Sequence, residues 1–168
     1  TRCSRDWSSN VCSSDLAETG PLAYLAQIGA IESLSRMFEH VWLPQEAVDE
    51  LVDPGSPETV RRWARHLPPW LWVAGGQEAS GLGSGFRRAQ QRTIGLARAI
   101  GADAVLIDDR AGALVAEGLG FQAIGTLGVL VHLANEGLVD LATALAALER
   151  TARSEEHSSE LQSRLHLV

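Results

Sequence analysis

Three short apolar runs constrain this chain more than any other feature: HVWLP (40–44), AVLI (104–107) and FQAIG (121–125). Each hands over to a segment whose apolar residues recur at helical spacing. QEAVDELV follows the first, DDRAGALVAEGLG the second and TLGVLVHLANEGLV the third. A strand buried on both faces reads as a near-continuous apolar run. Such strands alternating with helices predict an α/β fold, a three-layer sandwich with a central parallel sheet and helices on both faces. In sheets of this kind the ligand crevice lies beyond the carboxyl ends of the strands. Residues placed just after these runs are therefore the first candidates for chemistry.

The remaining segments extend the same alternation. TGPLAYLAQIGAIESLSRMF has helical spacing interrupted at Gly29, with Pro21 suited to a first turn. SPETVRRWARHL predicts a helix, with Ser56 before it and Pro57 at its first position. PPWLWVAGG predicts a short strand or extended loop, FRRAQQRTIGLARAIGAD a helix ending near Gly101, and LATALAALER the last helix. At 168 residues and 45% hydrophobic, the chain suffices for one domain with its own core. Its apolar runs are too short to span a membrane. The formal charge of −7 excludes a global basic field, so any nucleic-acid contact must come from local patches. The N-terminus lacks the apolar stretch of a secretory signal, and Cys3 and Cys12 are too few for a disulfide framework. A cytoplasmic location is expected.

Both ends read differently from the middle. Residues 1–16 are Ser-rich without period, and residues 151–168 are polar. Both read as non-native tails of the kind that adapter sequence leaves at the ends of assembled reading frames, which leaves 17–150 as the domain. A first strand would belong just before Glu18, in the middle of the sheet. There Ser13, Ser14 and Asp15 interrupt the apolar run. A core short of several buried side chains, each worth ~1.5–3 kcal/mol, predicts a marginal fold.

Acids stand where the strands end. Asp108 and Asp109 follow AVLI, Glu50 lies in the helix after HVWLP, and Glu18 precedes TGPL. Distant in sequence, they can converge at one edge of a parallel sheet. Carboxylates held together repel one another, and a hard divalent cation relieves that repulsion. Mg²⁺ or Mn²⁺ suits an oxygen donor set. Either Asp108 or Asp109 can cap the helix that follows, which leaves the other for a metal.

ETGPLAYLAQIGAI, LPQEAVDEL, GLARAIGADAVLIDDRAG and GTLGVLVHLANEGL, in this order, resemble the short PIN-domain proteins related to VapC toxins, in the branch known as DUF3368. The resemblance covers about Glu18 to Leu148. It implies a PIN-like α/β sandwich and a metal-dependent endoribonuclease that hydrolyses RNA phosphodiesters with an acidic cluster. It also implies an antitoxin protein as partner, and homodimers. Carried over residue by residue, the catalytic acids fall on Glu18, Glu50 and Asp109, with Asp108 beside them as a further ligand for Mg²⁺ or Mn²⁺. The remaining family acid falls on Gln90, or on Phe86 if aligned by the GLGSG stretch, and neither is acidic. The alternative is thus a degenerate PIN domain that binds RNA or a partner protein without cleavage.

Other signals rank lower. SGLGSGF lacks the Lys of a phosphate loop and the spacing of a dinucleotide fingerprint, so it reads as a loop; a nucleotide-binding module would rest on it alone. Arg61, Arg62 and Arg65, and Arg87, Arg88, Arg92 and Arg98, read as solvated helix faces. Trp63, Trp70 and Trp72 read as cover for a sheet edge. Thr126 either caps its helix or turns its hydroxyl toward the acids.

Overall fold

The computed structural model describes the backbone of residues 15–75 and 88–165, with side chains for 15–75 and 92–153. Five strands form one sheet: β1 (Asp15–Ala17), β2 (Val41–Pro44), β3 (Leu71–Ala74), β4 (Ala104–Leu106) and β5 (Gln122–Ile124). Every pairing is parallel and the order is β3-β2-β1-β4-β5. The helices are α1 (Thr19–Gln27), α2 (Gln45–Val52), α3 (Glu58–Ala64), α4 (Arg88–Ile100), α5 (Arg110–Gly118), α6 (Thr126–Asn135) and α7 (Leu141–Leu165). A 3-10 segment, Ile31–Arg36, follows α1. The expected α/β sandwich is therefore the observed fold.

Strand alternation sorts side chains into two cores, one on each face of the sheet. Ala17, Val41, Leu43, Leu71, Leu106 and Ile124 face α1, the 3-10 segment, α2, α3, α6 and α7. Leu16, Trp42, Val105, Ile107 and Ala123 face the other way, where Leu96 and Ala97 of α4 and Ala113 of α5 cover them. Gly29, at φ 75°, supplies the left-handed turn that separates α1 from the 3-10 segment. No helix among the described residues is long and apolar enough to cross a membrane.

The first strand exists despite its polar start. β1 is three residues long and central, and Leu16 pairs with both Trp42 and Val105. Asp15 is wholly buried; its Oδ1 accepts from the Ala104 amide at 2.9 Å, and its Oδ2 is buried without a partner. The domain start read at residue 17 thus falls inside β1, because Leu16 is a buried core residue. The end read at residue 150 falls inside α7, whose helix runs on through polar sequence to Leu165. Cys3, Cys12, Phe86, Arg87 and the GLGSG stretch lie outside the described residues.

Two local expectations shift. α3 begins at Glu58, with Pro57 in extended conformation as its N-cap. Ser56 does not cap that helix: its hydroxyl donates to the Glu50 carbonyl at 2.7 Å and ties the α2–α3 turn. Trp63 and Trp70 donate their indole N–H groups to the two carboxylate oxygens of Glu32, at 3.3 and 3.4 Å. Trp72 meets Trp42 and His40 edge-on across the β2–β3 edge.

A candidate acidic site at the carboxyl edge of the sheet

The strand order reverses between β1 and β4. The chain winds outward from β1 to β3, then returns to lay β4 on the opposite side of β1. Such a switch point leaves a crevice at the strands' carboxyl ends, because the two flanking connections depart in opposite directions. Glu18 stands there, immediately after β1, and its amide donates to the Leu106 carbonyl at 3.0 Å, locking the ends of β1 and β4 together. Glu18 is also the N-cap of α1, in extended conformation, and its side chain makes no capping bond. The carboxylate is not engaged in capping α1.

Glu50 comes from α2. Its Oε2 accepts from the Thr19 hydroxyl at 2.7 Å, which links α2 to the first turn of α1 beside Glu18. Asp108 and Asp109 follow β4 and divide two tasks. Asp109 is the N-cap of α5, its Oδ2 accepting from the Gly112 amide at 2.8 Å. Asp108 ties β4 to the β5–α6 turn: Oδ1 accepts from the Thr126 amide at 2.7 Å and Oδ2 from the Thr126 hydroxyl at 2.6 Å. A Cβ at position 125 would lie 3.1 Å from Asp108 Oδ1, so Gly125 permits this approach.

The non-capping aspartate is not idle in the folded chain. Both oxygens of Asp108 are engaged by Thr126, although each carboxylate oxygen keeps a second lone pair. Of the two roles read for Thr126, the hydroxyl facing the acids is the one observed; the N-cap of α6 is Gly125, and the Thr126 amide is met by Asp108 instead. Replacing Thr126 with Val removes one of the two bonds and keeps the backbone one. A loss of about 1 kcal/mol is expected, seen as a melting temperature lower by roughly 2–4 °C; an unchanged melting temperature would mean that the hydroxyl bond adds nothing.

Three of the acids act electrostatically on the fourth, Glu18. Burial pushes the Glu18 carboxyl up to about 7, and the charges of Asp109, Glu50 and Asp108, in that order, add to the shift. The carboxylates chosen from sequence thus meet in one electrostatic field. They do not close into a coordination shell: among the described residues, no three of His, Cys, Asp and Glu are grouped so as to hold a metal ion. In kind, the donors fit a hard divalent cation, being carboxylate oxygens with a threonine hydroxyl beside them. The like-charge load on Glu18 is what such a cation relieves.

Gln90 lies on α4, with its side chain outside the description. Sequence reasoning missed Thr19, whose only signal was its place next to Glu18. No curated protein matches the chain. The sequence model of a family described as DUF3368, a PIN domain, matches residues 16–164. With a match of that extent over this parallel sheet, the chain belongs to the DUF3368 family of PIN domains.

Proposed function

We propose that this protein is a metal-dependent endoribonuclease of the toxin type, hydrolysing RNA phosphodiesters at the crevice between β1 and β4. PIN domains suggest nuclease activity in general and typically use divalent metal ions. The observation that carries the reading is the shared field at Glu18, loaded by Asp109, Glu50 and Asp108. In this reading Glu18, Glu50 and Asp109 are the catalytic acids, and with Asp108 they would hold Mg²⁺ or Mn²⁺. A bound cation of this kind supplies charge neutralisation at the phosphate and lowers the pKa of water.

The chain's own contribution is to fix the donors before substrate arrives. Thr19 restrains the Glu50 carboxylate, Thr126 restrains Asp108 through both oxygens, and the α5 N-terminus restrains Asp109. Side chains held by such bonds need little reorganisation when charge develops on the phosphate. An antitoxin that covers the crevice and a homodimer belong to the same proposal. The test is cleavage of single-stranded RNA by the purified chain, with Mg²⁺ or Mn²⁺ and with a chelator. Cleavage that needs the cation is expected; cleavage indifferent to the chelator would overturn the metal's role.

A second reading, binding of RNA or a partner without cleavage, is favoured by the sequence: the family acid falls on Gln90, an amide on α4, or on Phe86, and neither is acidic. An amide ligates through oxygen but brings no charge. Gln90→Glu is therefore expected to tighten Mn²⁺ binding about tenfold, measured by calorimetry, and to raise cleavage with it. Tighter binding with no cleavage in either protein would favour the non-cleaving reading.

A further inference from the structure

A carboxylate site that takes a polyanion needs a cation near it, and in a chain of net charge −7 that cation has to be local. Arg61 and Arg62 pair with Glu58 within their own helix, α3, so their bridges tie no second element to the acids. Arg92 is different. It projects from α4, on one face of the sheet, and pairs with Glu46 of α2, on the other. The bridge crosses the carboxyl end of β2, where Pro44 caps α2. Glu46 stands one turn before Glu50, so the two side chains share a face of α2. Arg92 is thereby brought within a helical turn's reach of an acid in the proposed site.

The pairing is not the fork expected of a structural clamp. Only Oε1 of Glu46 meets the guanidinium; Oε2 is buried without a hydrogen-bond partner. A planar guanidinium binds carboxylate and phosphate best through two parallel bonds, and a phosphodiester offers the same pair of oxygens. The Arg92 side chain is 28% exposed, enough to be reached from solvent yet held by its surroundings.

We propose that Arg92 contacts a backbone phosphate of single-stranded RNA beside the acidic site, and that Glu46 occupies its guanidinium until that phosphate replaces it. This rests on the nuclease reading. Arg92 is then a substrate-positioning residue and Glu46 a built-in competitor, so removing each has an opposite effect on RNA affinity.

The experiment measures binding of a short labelled single-stranded RNA of mixed sequence by fluorescence anisotropy, across a series of KCl concentrations. The full chain carries Asp109→Asn throughout to suppress cleavage. Arg92→Gln is expected to bind about tenfold more weakly. Its slope of log affinity against log salt should fall by about 0.7. Glu46→Gln should bind several-fold more tightly, and Arg92→Lys should keep the salt slope. Should Arg92→Gln fail to fold, Arg92→Lys and Glu46→Gln decide the matter alone. Equal affinity of Arg92→Gln and its parent would overturn the proposal. So would Glu46→Gln losing affinity, which marks a purely structural bridge, or absence of RNA binding by the parent. Cation-dependent cleavage by the wild-type chain, assayed separately, reports on the nuclease reading whichever way Arg92 behaves.

Discussion

Asp109→Asn is expected to cut cation-dependent RNA cleavage by about 100-fold or more while the protein stays folded. Asp109 has two roles that this substitution separates. As N-cap of α5 it accepts from the Gly112 amide. Asn caps a helix about as well as Asp, so α5 keeps its start. As a charge, Asp109 contributes the largest of the three neighbouring carboxylate effects on Glu18. Removing it lowers the field that would hold a cation and lets the Glu18 carboxyl ionise more readily. The contrast to measure is a rate collapse beside a melting temperature within roughly 2–4 °C of wild type. Loss of both rate and fold would mean that the cap is Asp109's role, and unchanged cleavage would remove it from the site.

The second large effect concerns stability and has its source in the middle of the sheet. Asp15 is wholly buried at the start of β1. Burial pushes its carboxyl up from 3.8 to about 7, against the pull of the Ala104 amide and with a smaller push from Asp103. The folded chain therefore binds a proton more tightly than the unfolded chain does. The stability linked to that proton is fully present below about 3.8, is lost progressively as pH rises, and is gone above about 7. The whole swing is on the order of 4 kcal/mol. Asp15→Asn keeps an oxygen for the Ala104 amide and carries no charge. It should remove Asp15's share of the pH dependence, leaving that of Glu18, and raise the melting temperature at about pH 8 by roughly 5–10 °C. Thermal melts of both proteins between about pH 5 and pH 8 check this; a wild-type melting temperature that holds steady across that range would contradict it.

Asp15 also shows why part of the fold was hidden. β2 and β4 declare themselves as apolar runs because they are largely buried on both faces, and β5, a partly buried edge strand, does so through Ala123, Ile124 and the preceding Phe121. β1 occupies the most buried place in the sheet with only Leu16 and Ala17 as apolar residues, and its third member is a carboxylate. Period and propensity cannot reveal a strand that short; its neighbours β2 and β4 define it by pairing on both sides. α7 was cut short for the converse reason. The helix continues past residue 150 through Ser- and Glu-rich sequence, where an apolar pattern is weak.

The candidate acids were more legible than the strand that precedes Glu18. Glu18, Glu50, Asp108 and Asp109 follow from one rule, that chemistry gathers at the carboxyl ends of parallel strands. The rule does not say which aspartate caps α5, because either residue after β4 can reach an amide of the first turn. Nor does it reveal the hydroxyls. Thr19 and Glu50 lie 31 residues apart, and Asp108 and Thr126 lie 18 apart, so only the folded chain joins them. Glu46 and Arg92 are a third such pair, separated by 46 residues and placed on opposite faces of the sheet.

The central claim is that acids from β1, α2 and β4 act together on one divalent cation. Calorimetric titration of the full chain, freed of metal by a chelator, with Mn²⁺ tests it most directly. A saturable binding event in wild type, weakened at least about tenfold by Asp109→Asn, is predicted. Heats that show no binding, or the same affinity in both proteins, would contradict it.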